Sequence, residues 1–75
     1  SGPSRAAQTC SVALLAAAGE FREAAELGEE LLAGGSEARL LKALARVYWG
    51  LWRETEDDTW HERWWQVNVL RHDGV

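Results

Sequence analysis

The fold of this chain is decided by the sequence SEARLLKALARVYWGLWR, residues 36–53. Two apolar rows run through it, and the members of each row recur at steps of four and three residues: Leu40, Leu44, Val47 and Leu51 in one row, and Leu41, Ala45, Tyr48 and Trp52 in the other. This spacing places the two rows on adjacent sides of one α-helix. A helix with two apolar sides needs neighbours on both, so we expect the other helices to pack around this one.

The remaining face of this predicted helix is basic. Four side chains on this face recur at helical spacing: Arg39, Lys42, Arg46 and Trp49. Arg53 continues the same face toward the end of the helix. We call these four residues the basic ridge. It is the surface that the sequence marks most clearly as a candidate binding site.

Length and composition predict one small folded domain. Residues 4–75 form this domain, and residues 1–3, Ser-Gly-Pro, are expected to be the remnant of an expression tag. A chain of 75 residues that is 47% hydrophobic and has five Trp is too apolar for a disordered tail. It has no run of 18 apolar residues, so we expect no membrane association. Cys10 is the only cysteine, which excludes an internal disulfide and makes the cytoplasm the default compartment.

Two further helices are predicted before the basic ridge. The first covers residues 4–18, with Ser4 as its N-cap, Gly19 as its end, and an apolar side of small residues: Cys10, Ala13, Leu14 and Ala17. The second covers residues 20–33, and we expect Ser36 to cap the helix that follows it. Its apolar face consists of Phe21, Ala24, Ala25, Gly28, Leu31 and Leu32. Its outer face is acidic, with Glu23, Glu26 and Glu30, which we call the acidic stripe.

A fourth helix is predicted after a polar loop at residues 54–58. Thr59 and Glu62 fit the capping box that starts helices, so the helix should run from Trp60 to about His72. Four of its apolar residues share one face: Trp60, Trp64, Val67 and Leu70. Trp65 and Val69 point more than a quarter-turn away from that face, so either the loop folds over them or they contact another molecule. We expect the contact.

The four predicted helices form two similar pairs, residues 4–34 and 36–74. The first pair contains Ala16, Gly19, Phe21 and Ala24 in the order A…G-x-F-x-x-A, and the second contains Leu41, Leu44, Ala45 and Tyr48. With these motifs the chain resembles the tetratricopeptide repeat family, which stacks helix pairs of about 34 residues. The resemblance implies an all-α fold of four antiparallel helices. The alternative is a simple four-helix bundle with no family connection.

No residue pattern points to catalysis, so we predict no enzymatic activity and no cofactor. Cys10, His61 and His72 lie too far apart in sequence for a zinc motif, and Cys10 is expected to be a small buried apolar residue. The acidic loop lacks the ligand spacing of a calcium site. A net charge of -4 opposes nucleic-acid binding.

We therefore expect a protein-interaction module. The resemblance implies a groove between the basic ridge and four small residues of the first helix, suited to an acidic peptide or helix of a partner: Ala6, Thr9, Ala13 and Ala16. The alternative reading is an oligomerisation module that buries Trp65 and Val69 against a second copy. A third possibility is that the ridge only faces the acidic stripe or solvent.

Overall fold

The computed structural model describes residues 4–73, and in this part of the chain it contains helices and no strands. The elements are α1 (Arg5–Ala17), α2 (Phe21–Gly34), α3 (Ala38–Thr55) and α4 (Asp58–Asp73). The prediction of an all-α fold with four helices is confirmed. The expected tag remnant lies outside the described residues, and so does residue 74, where the second predicted helix pair ends.

The two apolar rows of α3 form the centre of the core, as predicted. Every member of the first row is fully buried, with Leu40, Leu44 and Val47 at 0% exposure. In the second row only Trp52 stays half-exposed. The predicted apolar face of α2 also packs on this core, with Ala24, Ala25, Gly28 and Leu31 buried and Phe21 and Leu32 half-buried.

Helix α3 contacts all three other helices. Helix α1 packs against α2 and α3, α2 packs against α3, and α4 packs its backbone only against α3. Within the described residues the backbones of α1 and α4 do not come together. The molecule is therefore flat, with extents of 38 × 28 × 17 Å.

Gly28 allows α2 and α3 to come close. A side chain at this position would overlap Leu44, which is completely buried and has little room to move. Gly50 of α3 likewise allows close packing, because a Cβ at this position would lie 2.6 Å from the ring of Phe21. The absence of a side chain at Gly28 is therefore a packing requirement of the α2–α3 interface.

The buried side of α1 differs from the predicted one. Val12 and Ala16 face the core, whereas Cys10, Ala13 and Ala17 are exposed and Leu14 is 71% exposed. Helix α1 has alanines on all of its sides, so its hydrophobic pattern does not indicate clearly which side is buried. The predicted burial of Cys10 is wrong for the same reason.

The predicted starts and ends of the first helices are partly confirmed. The Ser4 hydroxyl accepts a hydrogen bond from the Ala7 backbone N–H at 3.2 Å and caps α1. Gly19 follows this helix in the left-handed region at φ 82°. Ser36 does not cap α3, because Glu37 holds the N-cap position and makes no side-chain cap.

The link between α3 and α4 is shorter than the predicted loop at residues 54–58. Helix α3 continues to Thr55 and ends where Glu56 takes the left-handed conformation. The Asp57 carboxylate then accepts the backbone N–H of Thr59 at 2.9 Å. Asp57, not Thr59, therefore caps α4, which begins at Asp58 rather than Trp60.

Candidate groove between α1 and α3

An open groove of about 600 Å³ lies between α1 and α3. Small residues of α1 form one wall, and the other wall consists of three cationic residues of α3 with Ala43 between them. We call this cavity the basic groove. Its defining residues are Ala6, Thr9, Cys10, Ala13 and Ala16 on α1, and Arg39, Lys42 and Arg46 on α3.

The groove is open because α1 contributes short side chains. Ala6, Ala13 and Ala16 extend no further than a methyl group, so they leave the space beside α3 unfilled. Ala16 is buried at 3% exposure and Ala43 is half-buried, which gives the groove an apolar base. A cavity of this volume is in the size range of ligand-binding sites in proteins.

The three cations of the groove have no partners within residues 4–72. Arg39, Lys42 and Arg46 are exposed, and none of them forms an ion pair with another described side chain. In particular they do not pair with the acidic stripe, so of the third possibility left by the sequence only exposure to solvent remains. Their positive charge therefore remains available along the whole wall.

Arg5 closes one end of the groove. Its guanidinium donates two hydrogen bonds to the Glu37 carboxylate, at 2.9 and 2.8 Å, and one to the Leu31 carbonyl at 2.8 Å. The hydrogen bond from Arg5 holds the pKa of Glu37 below its ordinary value. The only carboxylate lining the groove is thus already paired with Arg5, and its charge is offset. Sequence reasoning missed this contact, which joins residues 32 positions apart.

Trp49 does not line the groove, although the sequence placed it on the basic ridge. Its indole packs 5.2 Å from the rings of both Trp52 and Trp64, and 6.5 Å from His61. These four rings form an aromatic cluster between α3 and α4. The Trp49 side chain lies there because α4 offers it aromatic partners.

On the other side of α3, Glu29 joins three helices. Its carboxylate accepts a hydrogen bond from the Tyr48 hydroxyl at 3.1 Å and from the Arg63 guanidinium at 2.6 Å. Arg63 also lies 5.0 Å above the Trp60 ring, which stacks against Tyr48. Burial of the Tyr48 hydroxyl raises its pKa, and the negative charge of Glu29 raises it further. This cluster fixes α4 to α2 and α3.

The outer side of α4 exposes apolar side chains. Trp65 is 57% exposed and Val69 47% exposed, so the monomer does not cover the two residues that the sequence singled out. Leu70, which was predicted to share the inner face, is also 42% exposed. Only Val67 of the predicted inner face is fully buried.

Among the side chains of residues 4–72, no cluster of three or more His, Cys, Asp or Glu has the arrangement to hold a metal ion. None of the four helices combines the length and the apolar character needed to cross a bilayer.

Comparison with protein-family models, curated proteins and solved structures gave no match. The tetratricopeptide repeat resemblance therefore stays a hypothesis based on the motif residues.

Proposed function

We propose that this chain is a protein-interaction module and that the basic groove holds an acidic segment of a partner. One observation carries the proposal: one wall of the groove has three exposed cations, and the other wall consists of small, mostly apolar side chains. The cations form no ion pair within residues 4–72. Carboxylates of a partner would supply the missing counter-charges.

The spacing of the cations suits a peptide or a helix. Arg39 and Arg46 are seven positions apart on α3, with Lys42 between them, which is a rise of about 10 Å. That distance corresponds to two turns of a partner helix or to about three residues of an extended strand. Arg39 and Arg46 each present a planar fork of donors that matches a carboxylate.

The packing order of the helices is consistent with stacked helix pairs. In an up-and-down bundle that closes on itself, the first and last helices pack side by side. Here α1 packs against α3, the first helix of the second pair, and within the described residues its backbone does not approach α4. This order supports the repeat reading over the closed bundle. Under that reading the groove would lie between the first helices of the two pairs.

A titration with a labelled peptide tests the proposal. The probe is a helix-forming alanine peptide with Glu at positions matching the cation spacing, and its control has Gln at those positions. We expect the Glu peptide to bind and the Gln peptide to bind far more weakly, measured by fluorescence anisotropy. Binding should weaken as salt rises, because the contacts are charged.

The double variant Lys42→Glu with Arg46→Glu should reduce the affinity by at least about tenfold, equivalent to roughly 1.4 kcal/mol. Its matched control is Arg22→Glu with Arg53→Glu, which changes the net charge equally at exposed positions outside the groove. This control should bind like the parent. A groove variant that binds as tightly as the parent at low and at high salt would remove the groove from the account.

A second candidate function is self-association through α4. The exposure of Trp65 and Val69 favours it, because an indole left 57% in water gains by contact with another apolar surface. Sedimentation over a range of protein concentrations tests it with the variant Trp65→Ser. Loss of a salt-insensitive association would support this candidate. An association that survives the substitution would exclude Trp65 from the contact.

A further inference from the structure

We infer that the acidic segment bound in the basic groove is α2 of a second copy of this chain. The inference rests on the proposed function of the groove and names its partner. It follows from the position, spacing and unpaired state of the acidic stripe, Glu23, Glu26 and Glu30.

The acidic stripe lies on the face of α2 that points away from the core. At 100° per residue, the centre of the stripe lies about 130° around the helix from the centre of the buried row of Ala24, Gly28 and Leu31. All three glutamates are exposed, and none forms an ion pair within residues 4–72. Glu29 differs, since it turns toward Tyr48 and Arg63.

The two charged rows have the same spacing. Glu23, Glu26 and Glu30 are separated by three and four residues, and so are Arg39, Lys42 and Arg46. Each row therefore rises by about 10 Å along its helix. A helix carrying the acidic stripe can bring all three carboxylates to the three cations at once.

These rows do not meet within one molecule. Helices α2 and α3 pack through Gly28 and Leu44, which directs the acidic stripe outward while the cations line the groove beside α1. Only a second molecule can bring the two rows into contact. Their common spacing is the charge complementarity that points to this partner.

The contact would be head-to-tail, because the stripe and the groove are different surfaces. Each copy has one of each, so a bound pair still carries one free groove and one free stripe. We therefore expect short chains of molecules that grow with protein concentration and dissociate as salt rises. Association through the apolar side of α4 would lack this salt dependence.

Complementary variants test the inference. The stripe variant is Glu26→Gln with Glu30→Gln, and the groove variant is Lys42→Gln with Arg46→Gln. By sedimentation velocity at low salt, the parent should form a concentration-dependent series, and each variant alone should be monomeric. An equimolar mixture should give a 1:1 dimer and nothing larger, because only one stripe and one groove remain intact.

The outcomes separate this inference from the proposed function. The Glu probe peptide must bind the stripe variant, whose groove is intact. If it binds while the parent stays monomeric at low salt, the second-copy inference is wrong and the groove function stands. If the probe does not bind, the groove function itself fails. An association that persists in the groove variant runs through another surface and also overturns the inference. Far-UV circular dichroism and thermal melts establish that both variants fold.

Discussion

The two sides of α3 differ in the size of the side chains that face them. Toward α1, the wall consists of small side chains, three alanines with Thr9 and Cys10, and a groove of about 600 Å³ remains. Toward α4, the neighbours are His61 and Trp64, and their rings pack against Trp49 and Trp52. The same helix thus has an open side and a filled side. Both partners contribute to this difference: α1 brings small side chains to the cationic side of α3, whereas α4 brings aromatic rings to Trp49 and Trp52.

The largest expected effect on stability comes from Leu44→Ala, which removes a side chain from the centre of the core rather than from either side of α3. Leu44 is fully buried between α2 and α3. Its loss should lower the free energy of unfolding by about 2 to 5 kcal/mol, comparable with the whole stability of a small domain. Chemical denaturation measures this change. A loss below about 1 kcal/mol would show that Leu44 is not central to the core.

The filled side should be more sensitive to truncation than the open side. Trp64→Ala removes a half-buried indole that contacts Trp49 and His61, so we expect a loss of about 2 kcal/mol. Binding of the Glu probe peptide should stay unchanged, because Trp64 does not line the groove. Weaker peptide binding in a folded variant would mean that the two sides are coupled.

The filled side should also respond to alkaline pH. Burial raises the pKa of Tyr48, so above pH 10 the unfolded chain loses this proton more readily than the folded chain. The free energy of unfolding should therefore fall as pH rises above about 10, by up to roughly 1.4 kcal/mol per pH unit. Denaturation at several alkaline pH values measures the slope.

Tyr48→Phe is the control for this titration. It removes the ionisable group and the hydrogen bond to Glu29, so we expect a cost of about 1 kcal/mol near neutral pH and a flatter alkaline profile. Glu29 keeps its ion pair with Arg63 in this variant. An alkaline slope equal to that of the parent would show that Tyr48 does not cause it.

The smallest effect on stability is expected on the open side. Ala13→Leu places a larger side chain in the groove at an exposed helical position, so the free energy of unfolding should change by less than about 0.5 kcal/mol. The Glu probe peptide should bind more weakly, because its space is reduced. Ala17→Leu, also exposed on α1 but outside the groove, is the matched control and should bind normally.

Sequence reasoning succeeded where apolar and charged positions recur on opposite sides of a helix. The leucine row of α3 and the apolar face of α2 were identified because buried and exposed positions differ strongly in those helices. It failed for α1, where alanine occurs on every side and Val12 was overlooked. Helix propensity is high for alanine, but its burial pattern is uninformative.

The candidate site was only partly predictable for similar reasons. The spacing of Arg39, Lys42 and Arg46 placed them on one face, and the structure brings them together with small residues of α1. Trp49 has the same spacing but turns to the aromatic cluster, which depends on α4 packing. The bonds of Arg5 to the α2–α3 link likewise join distant parts of the sequence, and no periodic pattern reveals them.

Chemical-shift mapping by nuclear magnetic resonance tests the central claim most directly. The Glu probe peptide is titrated into the parent protein at low salt, and backbone amides and indole N–H groups are followed together. We predict shifts at Ala6, Ala13 and Lys42 in the groove, and none at the indoles of Trp52 and Trp64. Shifts confined to the indoles, or absent from the groove while the peptide binds, would contradict the account.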